Sequence, residues 1–255
     1  MKLVTWNVNS LKVRLSQVLE LLAEQRPDVV CLQETKAEDA NFPAADIRGA
    51  GYQAVYAGQK TYNGVAILSL QPARDAVIGI PDYDDPQKRV IAATVSEVRV
   101  ICAYVPNGES VESEKYRYKL EWLARLNAWL QEETRKFPRL ALLGDYNIAP
   151  EDRDVHDPQF WRGKVLFSDP EKAAFRDLVA LGMADGFRLF DQPEKSFSWW
   201  DYRMNGFKRN LGLRIDHILL SPELARRCTG CRIARDVRAK ERPSDHAPVI
   251  AELSD

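Results

Sequence analysis

The sequence offers its first candidate reactive groups at Asp145 and Asn147, a carboxylate and a carboxamide two positions apart. They follow an apolar run at residues 140–143, which is typical of a strand buried on both faces. Gly144 is expected to let the chain turn as it leaves the sheet. Residues two apart in an extended segment point the same way, so a proton acceptor and a hydrogen-bond donor would share one side. Taken alone, an Asp-x-Asn pair is more often a turn that caps a strand.

The same arrangement recurs at other predicted strand ends, which favours an active site over a simple cap. Ligand crevices form at the carboxyl ends of strands in sheets that helices cover. Because the group offers oxygen ligands and no thiolate, it suits a hard cation such as Mg²⁺ or Mn²⁺. The polar residues at these ends are Asn7, Glu34, Tyr104, Asp145, Asn147, Asp216, Asp245 and His246.

These residue types meet the needs of phosphate-ester hydrolysis. That reaction requires a cation against the equatorial phosphate oxygens, a base for the attacking water, donors that hold the phosphoryl group and a group that stabilises the leaving oxygen. Carboxylate, carboxamide, phenol and imidazole side chains supply all four. The sequence therefore predicts a site for metal-assisted hydrolysis of a phosphate ester.

Both strands and helices are predicted around these polar residues. Apolar spacing predicts helices over residues 11–25 and 114–136 and strands over residues 2–7, 29–32 and 98–104. Since hairpins join some predicted strands and helices join others, we expect an α/β fold in which two packed mixed β-sheets are flanked by helices. No linker or change of composition divides the chain, so a single domain over residues 1–255 is predicted.

Composition excludes several classes of protein. Of the 255 residues, 45% are apolar and 29% are charged, which is ordinary for a soluble globular protein and argues against disorder. No apolar run approaches membrane-spanning length and no signal-peptide pattern occurs, so a cytoplasmic location is expected. Cys228 and Cys231 form a C-x-x-C motif without a second pair, and all four cysteines are expected to be structural.

The net charge of −1 gives no overall attraction to a polyanion, so nucleic acid would have to meet a local basic surface. A basic cluster on its own is more often a solvated surface than a binding site. The candidate cations fall into three groups along the chain, which are Lys115, Arg117 and Lys119, then Arg162 and Lys164, then Arg203, Lys208, Arg209 and Arg214.

Segments along the whole chain together resemble the exonuclease III family of AP endonucleases, within the endonuclease, exonuclease and phosphatase superfamily. Each segment is a weak signal, but all of them occur in the family's order. They are residues 5–11 (TWNVNSL), 31–36 (CLQETK), 104–108 (YVPNG), 144–150 (GDYNIAP), 197–203 (FSWWDYR), 212–217 (GLRIDH) and 244–246 (SDH). The resemblance implies a four-layer α/β sandwich with the active site at one edge of the two sheets.

The resemblance also implies roles for the residues at the strand ends. Glu34 is expected to be the principal Mg²⁺ ligand, with Asn7 and Asp245 close to the metal. Asp145 is expected to orient or deprotonate the attacking water, and Asn147 to hold the scissile phosphate. The residues implied around the metal are Glu34, Asn7, Asp245, Asp145, Asn147 and His246.

Imidazole and phenol groups complete the implied site. His246, paired with Asp216, is expected to donate to a phosphate oxygen, since a carboxylate fixes the tautomer of an imidazole and favours its charged form. Tyr104 is expected to contact the same phosphate. His217 faces the other side of its strand and is expected to be structural. The implied substrate-binding positions are Trp199, near a pocket for a sugar without a base, and Asn107 and Arg203, for which surface roles are equally open.

The function that the resemblance implies is a Mg²⁺-dependent DNA repair nuclease, with Mn²⁺ as an alternative metal. It would act as a monomer, away from membranes, on duplex DNA, cutting on the 5′ side of an abasic site, removing nucleotides from 3′ ends, or both. Two alternatives stay open. One is a non-catalytic nucleic-acid-binding regulator, which the filled catalytic positions disfavour. The other is a phosphodiesterase of the superfamily acting on a lipid head group, which the lack of a membrane-binding segment disfavours.

Overall fold

Two six-stranded sheets form the centre of the structure. The computed structural model describes residues 1–254. Its strands are β1 (Lys2–Asn7), β2 (Val29–Gln33), β3 (Gln53–Ala57), β4 (Val65–Ser69), β5 (Arg74–Ile78), β6 (Val90–Val95), β7 (Val98–Tyr104), β8 (Leu140–Asp145), β9 (Ala184–Asp185), β10 (Trp199–Trp200), β11 (Gly212–Leu213), β12 (Asp216–Leu220), β13 (Cys228–Ile233) and β14 (Val249–Leu253).

Both large sheets are mixed. The first has the strand order β13-β14-β1-β2-β4-β3 and the second has the order β5-β6-β7-β8-β12-β9, while β10 and β11 form a separate pair. The pairs β1–β2 and β7–β8 are parallel, whereas β14 and β12 run antiparallel to β1 and β8. An antiparallel strand begins where its neighbour ends, so the ends of β1 and β8 meet the starts of β14 and β12.

The helices lie outside the two sheets. They are α1 (Leu11–Gln25), α2 (Ala44–Gly49), α3 (Glu114–Lys136), α4 (Pro158–Trp161), α5 (Asp169–Ala180) and α6 (Pro222–Arg227). The predicted bounds of α1 and α3 are confirmed. Ser113 caps α3 by accepting from the amide of Tyr116, and Ser168 and Glu171 form a capping box at the start of α5.

Three apolar cores separate the layers. Val18 and Leu22 of α1 pack on the outer face of the first sheet, and Trp122 of α3 packs on the outer face of the second. Between the sheets, alternate residues of β8 such as Leu143 meet the first sheet, while Leu142 faces the helices. This burial on both faces explains the unbroken apolar run. The predicted four-layer α/β sandwich is confirmed.

Gly144 is required by strand packing, not by the turn that the sequence predicted. It lies inside β8, where an added Cβ atom would come within 1.8 Å of the carbonyl oxygen of Ala103 on β7. The change of direction comes later, at Asn147, whose φ is +49°. The turn prediction at position 144 was therefore wrong, because the glycine serves the close approach of two strands.

Two further features bear on the predicted class. Within residues 1–254, no helix has the length and apolar character needed to cross a membrane. The four cysteines are free thiols, with Cys31 and Cys102 buried in the core between the sheets.

Candidate active site

The edge where β1 and β8 end brings the predicted site residues together. Asn7 and Asp145 are the last residues of β1 and β8, and Asp216, the first residue of β12, pairs with Asp145 across the ladder. His246 lies just before β14, which starts beside the end of β1. The strand pattern therefore collects residues from the whole chain at one place.

Asn7 joins the two sheets at this edge. Its side chain is fully buried, and Nδ2 donates to Oε1 of Glu34 at 2.9 Å and to Oδ2 of Asp145 at 2.9 Å. Its Oδ1 accepts from the backbone amide of Asn9 at 2.9 Å. Because both N–H groups and the oxygen of this carboxamide are engaged, the amide orientation is fixed, and two carboxylates from different sheets are held next to each other.

Asp145 is placed to accept a proton near neutral pH. Its Oδ1 accepts from the amide of Asn147 at 2.9 Å, and Nε2 of His246 lies 3.7 Å from its Oδ2. Burial raises the pKa of Asp145 to about 7, although the positive charge of His246 and the amide of Asn7 oppose the rise. A carboxylate with a raised pKa is a stronger proton acceptor than a solvated one.

His246 and Asp216 form a buried charged pair. Nδ1 of His246 lies 2.9 Å from Oδ2 of Asp216, which also accepts from the hydroxyl of Ser198 at 2.6 Å. Burial lowers the pKa of His246, but the carboxylates of Asp216 and Asp145 more than offset this and raise it to about 10. The ring is therefore an imidazolium that can donate from Nε2.

Asn147 and Asn107 are linked through their side chains. Nδ2 of Asn107 donates to Oδ1 of Asn147 at 3.1 Å, and Nδ2 of Asn147 donates to the carbonyl of Val105 at 3.0 Å. Asn147 is 5% exposed, whereas Asn107 is exposed at the rim. The structure thus places both predicted carboxamides at the site, one inside it and one at its mouth.

Tyr104 keeps its phenol proton. Burial, followed by the negative charges of Glu34 and Asp145, raises the pKa of Tyr104 well above its usual value. The guanidinium of Arg89 lies 4.7 Å from the ring centroid. The neutral phenol can donate a hydrogen bond to an anionic group.

Asp245 and Trp199 contact each other at the side of the site. Nε1 of Trp199 donates to Oδ2 of Asp245 at 3.0 Å, and Nδ2 of Asn9 donates to Oδ1 of the same carboxylate at 2.9 Å. Lys36 completes this network, since its Nζ lies 2.6 Å from Oδ1 of Asn9 and 2.8 Å from Oε2 of Glu34.

Sequence reasoning missed three of these groups. Asn9 stands two residues after Asn7, and Lys36 two after Glu34, so the spacing that singled out Asn147 applied to both. Ser198 gave no local signal. Its hydroxyl accepts from the amides of Ile215 and Asp216 while it donates to the Asp216 carboxylate, a role that only the packing of distant segments reveals.

Three predicted cations lie away from this group. The side chain of Arg203 is 86% exposed and forms an ion pair with Asp201. The structure therefore does not bring Arg203 to the site. Lys119 and Arg214 are buried, and Arg214 pairs with Asp154 and Asp185. These two candidates therefore do not belong to a basic surface that could meet a polyanion, because each neutralises buried carboxylates. The remaining predicted cations, Lys115, Arg117, Arg162, Lys164, Lys208 and Arg209, are exposed.

A family model described as the endonuclease/exonuclease/phosphatase family matches residues 4–246. The chain belongs to this family. Exodeoxyribonuclease III of Haemophilus influenzae is 40% identical over 266 residues, covering 99% of this chain and all of the relative. A chain of this family that is similar over its full length to an exodeoxyribonuclease is a phosphodiesterase. The predictions of family and of enzymatic function are therefore confirmed.

Two solved structures share the fold over their full lengths. A 3′ phosphatase from Neisseria, bound to a product DNA hairpin, is 49% identical with a TM-score of 0.99, and both chains are covered completely. An AP endonuclease from Archaeoglobus fulgidus is 39% identical with a TM-score of 0.96, again with complete coverage of both chains.

The residues present fit the metal that an enzyme of the endonuclease/exonuclease/phosphatase family requires. Oε1 of Glu34 and Oδ2 of Asp145 lie at the same distance from one amide nitrogen, so two carboxylates converge and a cation would relieve their repulsion. Ligand atoms of Asp145, Asp216 and His246 also lie within 4.8 Å of one another. An imidazolium has no free lone pair, however, and therefore the oxygen donors around Glu34 fit a metal better than His246 does.

Proposed function

We propose that this protein is a Mg²⁺-dependent nuclease that hydrolyses phosphodiesters of duplex DNA, both on the 5′ side of abasic sites and at 3′ ends. The observation that carries the proposal is the convergence of Glu34 and Asp145 on Asn7, beside the His246 imidazolium. A hard cation, a base and a donor to an oxyanion are thereby provided at one place.

Each residue at the site has a distinct part in the proposed reaction. Glu34 would hold the cation, which would neutralise charge on the phosphate oxygens, and Asn7 would orient the Glu34 carboxylate next to it through Nδ2. Asp145, with its raised pKa, accepts the proton of the attacking water. His246 donates from Nε2 to a phosphate oxygen while Asp216 holds the ring. The phenol of Tyr104 donates to the same phosphate, and the carboxamide of Asn147 does so through the N–H that otherwise makes the long contact of 3.3 Å with Oδ2 of Asp145.

The rim suits a DNA strand with a missing base or a free end. Trp199 is half-buried and packs on an apolar cluster that includes Leu166 and Leu213, both nearly inaccessible. An apolar wall favours a bare deoxyribose over a hydrated base. The relatives support these substrates, since one is named an AP endonuclease and another a 3′ phosphatase with a DNA hairpin. Asn107 and Arg203 remain proposed contacts to the DNA backbone.

One set of reactions tests the proposal. Duplexes with an internal abasic site, a 3′ phosphate at a nick, or a blunt end are incubated with enzyme and Mg²⁺, and the products are separated on a denaturing gel. We expect cleavage 5′ to the abasic site and trimming of 3′ ends, both abolished by a chelator and restored by Mg²⁺. Cleavage that persists in chelator, or hydrolysis of phosphoinositide head groups in place of DNA, would contradict it.

Three further properties belong to the proposal. We expect residues 1–255 to act as a single domain, because Leu3 and Leu253 share the core between the sheets. We expect a monomer, which light scattering at several concentrations would test. The free thiols are consistent with a reducing compartment, so we expect a cytoplasmic protein.

A further inference from the structure

Lys119 is a fully buried cation on α3 whose hydrogen-bonding capacity is used completely. An ammonium has three N–H donors. Here Nζ lies 2.7 Å from the carbonyl oxygen of Asn147, 3.1 Å from the carbonyl oxygen of Asn107 and 2.5 Å from Oε1 of Glu171. Lys119 therefore has no donor left for a substrate, and any effect on the reaction must pass through these three partners.

Glu171 extends the connection to a third segment. Its Oε1 also accepts from the amide of Leu166 at 2.9 Å, and its Oε2 accepts from the amide of Ser168 at 3.0 Å and from the Ser168 hydroxyl. The buried pair of Lys119 and Glu171 thus ties together the loop after β7, the loop after β8 and the segment before α5.

The two carbonyls belong to residues that line the proposed site. Their side chains are themselves linked, since Asn107 donates to Oδ1 of Asn147. Asn147 has a φ of +49°, an uncommon backbone conformation that its surroundings must hold in place. The ammonium of Lys119 contacts the backbone of this residue directly.

We propose that Lys119 is a positioning residue for phosphodiester hydrolysis: together with Glu171 it fixes the backbones of Asn107 and Asn147 and so places the Asn147 carboxamide against the scissile phosphate. This inference rests on the proposed function. Stability alone is a weak reason for such a pair, because the desolvation of two buried charges offsets much of their attraction.

A second buried pair, between β7 and the same helix, provides a matched control. Nε of Arg99 lies 2.8 Å from Oε2 of Glu133, near the other end of α3, and both side chains are almost inaccessible. The guanidinium of Arg99 also donates to the carbonyl oxygen of Asp75. The contacts of this pair include none of the site residues, so it shares the burial and charge of the first pair without its connection to Asn147.

The test compares two neutralised double variants, Lys119→Met/Glu171→Gln and Arg99→Met/Glu133→Gln. Steady-state kinetics on abasic duplex and thermal melts are measured for both. We expect kcat of the first to fall by about 100-fold with KM changed by less than about threefold, because small displacements of a positioned group are costly. The control variant should keep the kcat of the wild type even if its Tm is lower. Equal kcat values for wild type and the first variant would overturn the proposal.

Amide hydrogen exchange gives a readout that does not depend on activity. In the DNA-free protein, we expect the amides of Asn147 and Leu166 to exchange faster in the Lys119→Met/Glu171→Gln variant than in the Arg99→Met/Glu133→Gln control. If the protection of these two amides is unchanged, the inference is overturned, even when the wild type cleaves DNA. If the wild type does not cleave DNA, the proposed function alone is refuted. If the double variant does not fold, the single variant Glu171→Gln replaces it. A kcat of Glu171→Gln equal to that of the wild type would also overturn the inference.

Discussion

Asn7 on β1 and Asp145 on β8 are joined by a hydrogen bond of 2.9 Å, although they lie in different sheets and are 138 positions apart. The proposed metal-binding carboxylate, Glu34, contacts the same Nδ2 atom. The site therefore spans the interface between the sheets, and its geometry depends on how the two sheets pack.

Replacing the proposed base should separate turnover from binding. Asp145→Asn keeps the shape and an acceptor for Asn7 but removes the carboxylate, so we expect kcat to fall by about 10²–10⁴-fold. The Kd for abasic duplex should stay within about threefold, as measured by fluorescence anisotropy. Asp152→Asn, at an exposed position of the following loop, is the control and should behave as wild type. An active Asp145→Asn enzyme would exclude this role for Asp145.

Removing the partner of His246 should change the pH profile. The carboxylates of Asp216 and Asp145 raise the pKa of the imidazole to about 10, so its charged form persists into the alkaline range. In Asp216→Asn the pKa falls, and the alkaline limb of the kcat profile should move to lower pH by at least about one unit. Ser198→Ala, which removes the hydrogen bond to the Asp216 carboxylate but keeps the negative charge of that carboxylate, should shift it less. An unshifted limb in Asp216→Asn would show that His246 does not act as the cation.

The metal requirement should depend on Glu34. Glu34→Gln removes a carboxylate from a site that prefers charged oxygen ligands, so we expect about tenfold or more Mg²⁺ to be needed for half-maximal activity. Glu38→Gln is a control, because Glu38 is exposed and has no contact with the site network. A metal titration of Glu34→Gln that overlays the wild-type curve would disprove the assignment.

Acid should destabilise the fold through His217. Its Nδ1 faces the guanidinium of Arg214 at 3.0 Å and its Nε2 faces the carbonyl of Ile148 at 2.8 Å, which fixes a neutral ring. Burial, then the charge of Arg214, lowers its pKa from 6.5 to about 4. The unfolded chain therefore binds the proton first, and stability present above pH 6.5 is lost as the pH falls toward 4.

The expected loss from His217 is about 2–3 kcal/mol between pH 7 and pH 4.5, since each pKa unit corresponds to about 1.4 kcal/mol. Urea unfolding at the two pH values measures it. His217→Gln cannot take up a proton, so its stability should change less over the same range. If the variant and the wild type lose equal stability on acidification, another group is responsible.

The close approach of β7 and β8 predicts that Gly144→Ala is destabilising. The added methyl group would overlap the carbonyl of Ala103, a backbone atom that cannot move away, so we expect a loss of about 2–3 kcal/mol in urea unfolding. Gly230→Ala on β13 is the control, because a Cβ atom there meets nothing within 4 Å. Equal stabilities of the two variants would contradict the packing argument.

Most of the secondary structure and most of the site residues could be predicted from local sequence patterns. Helical periodicity gave the bounds of α1 and α3, and the unbroken apolar run before Asp145 identified a strand covered on both faces. These features are local, since they depend on side-chain spacing within one segment. The polar residues at strand ends could be assigned to one site because parallel strands end at a common edge.

Which polar groups meet, and which of them are buried, depends on contacts between segments that are distant in the chain. The sequence analysis placed Lys119 and Arg214 among candidate surface cations, because a sequence does not show the distant carboxylates that neutralise them. Ser198 acquired its contact with Asp216 from strand packing, and Gly144 is explained by an atom of a neighbouring strand. Partners far apart in the chain are set by the register and stacking of whole sheets, which no local pattern encodes.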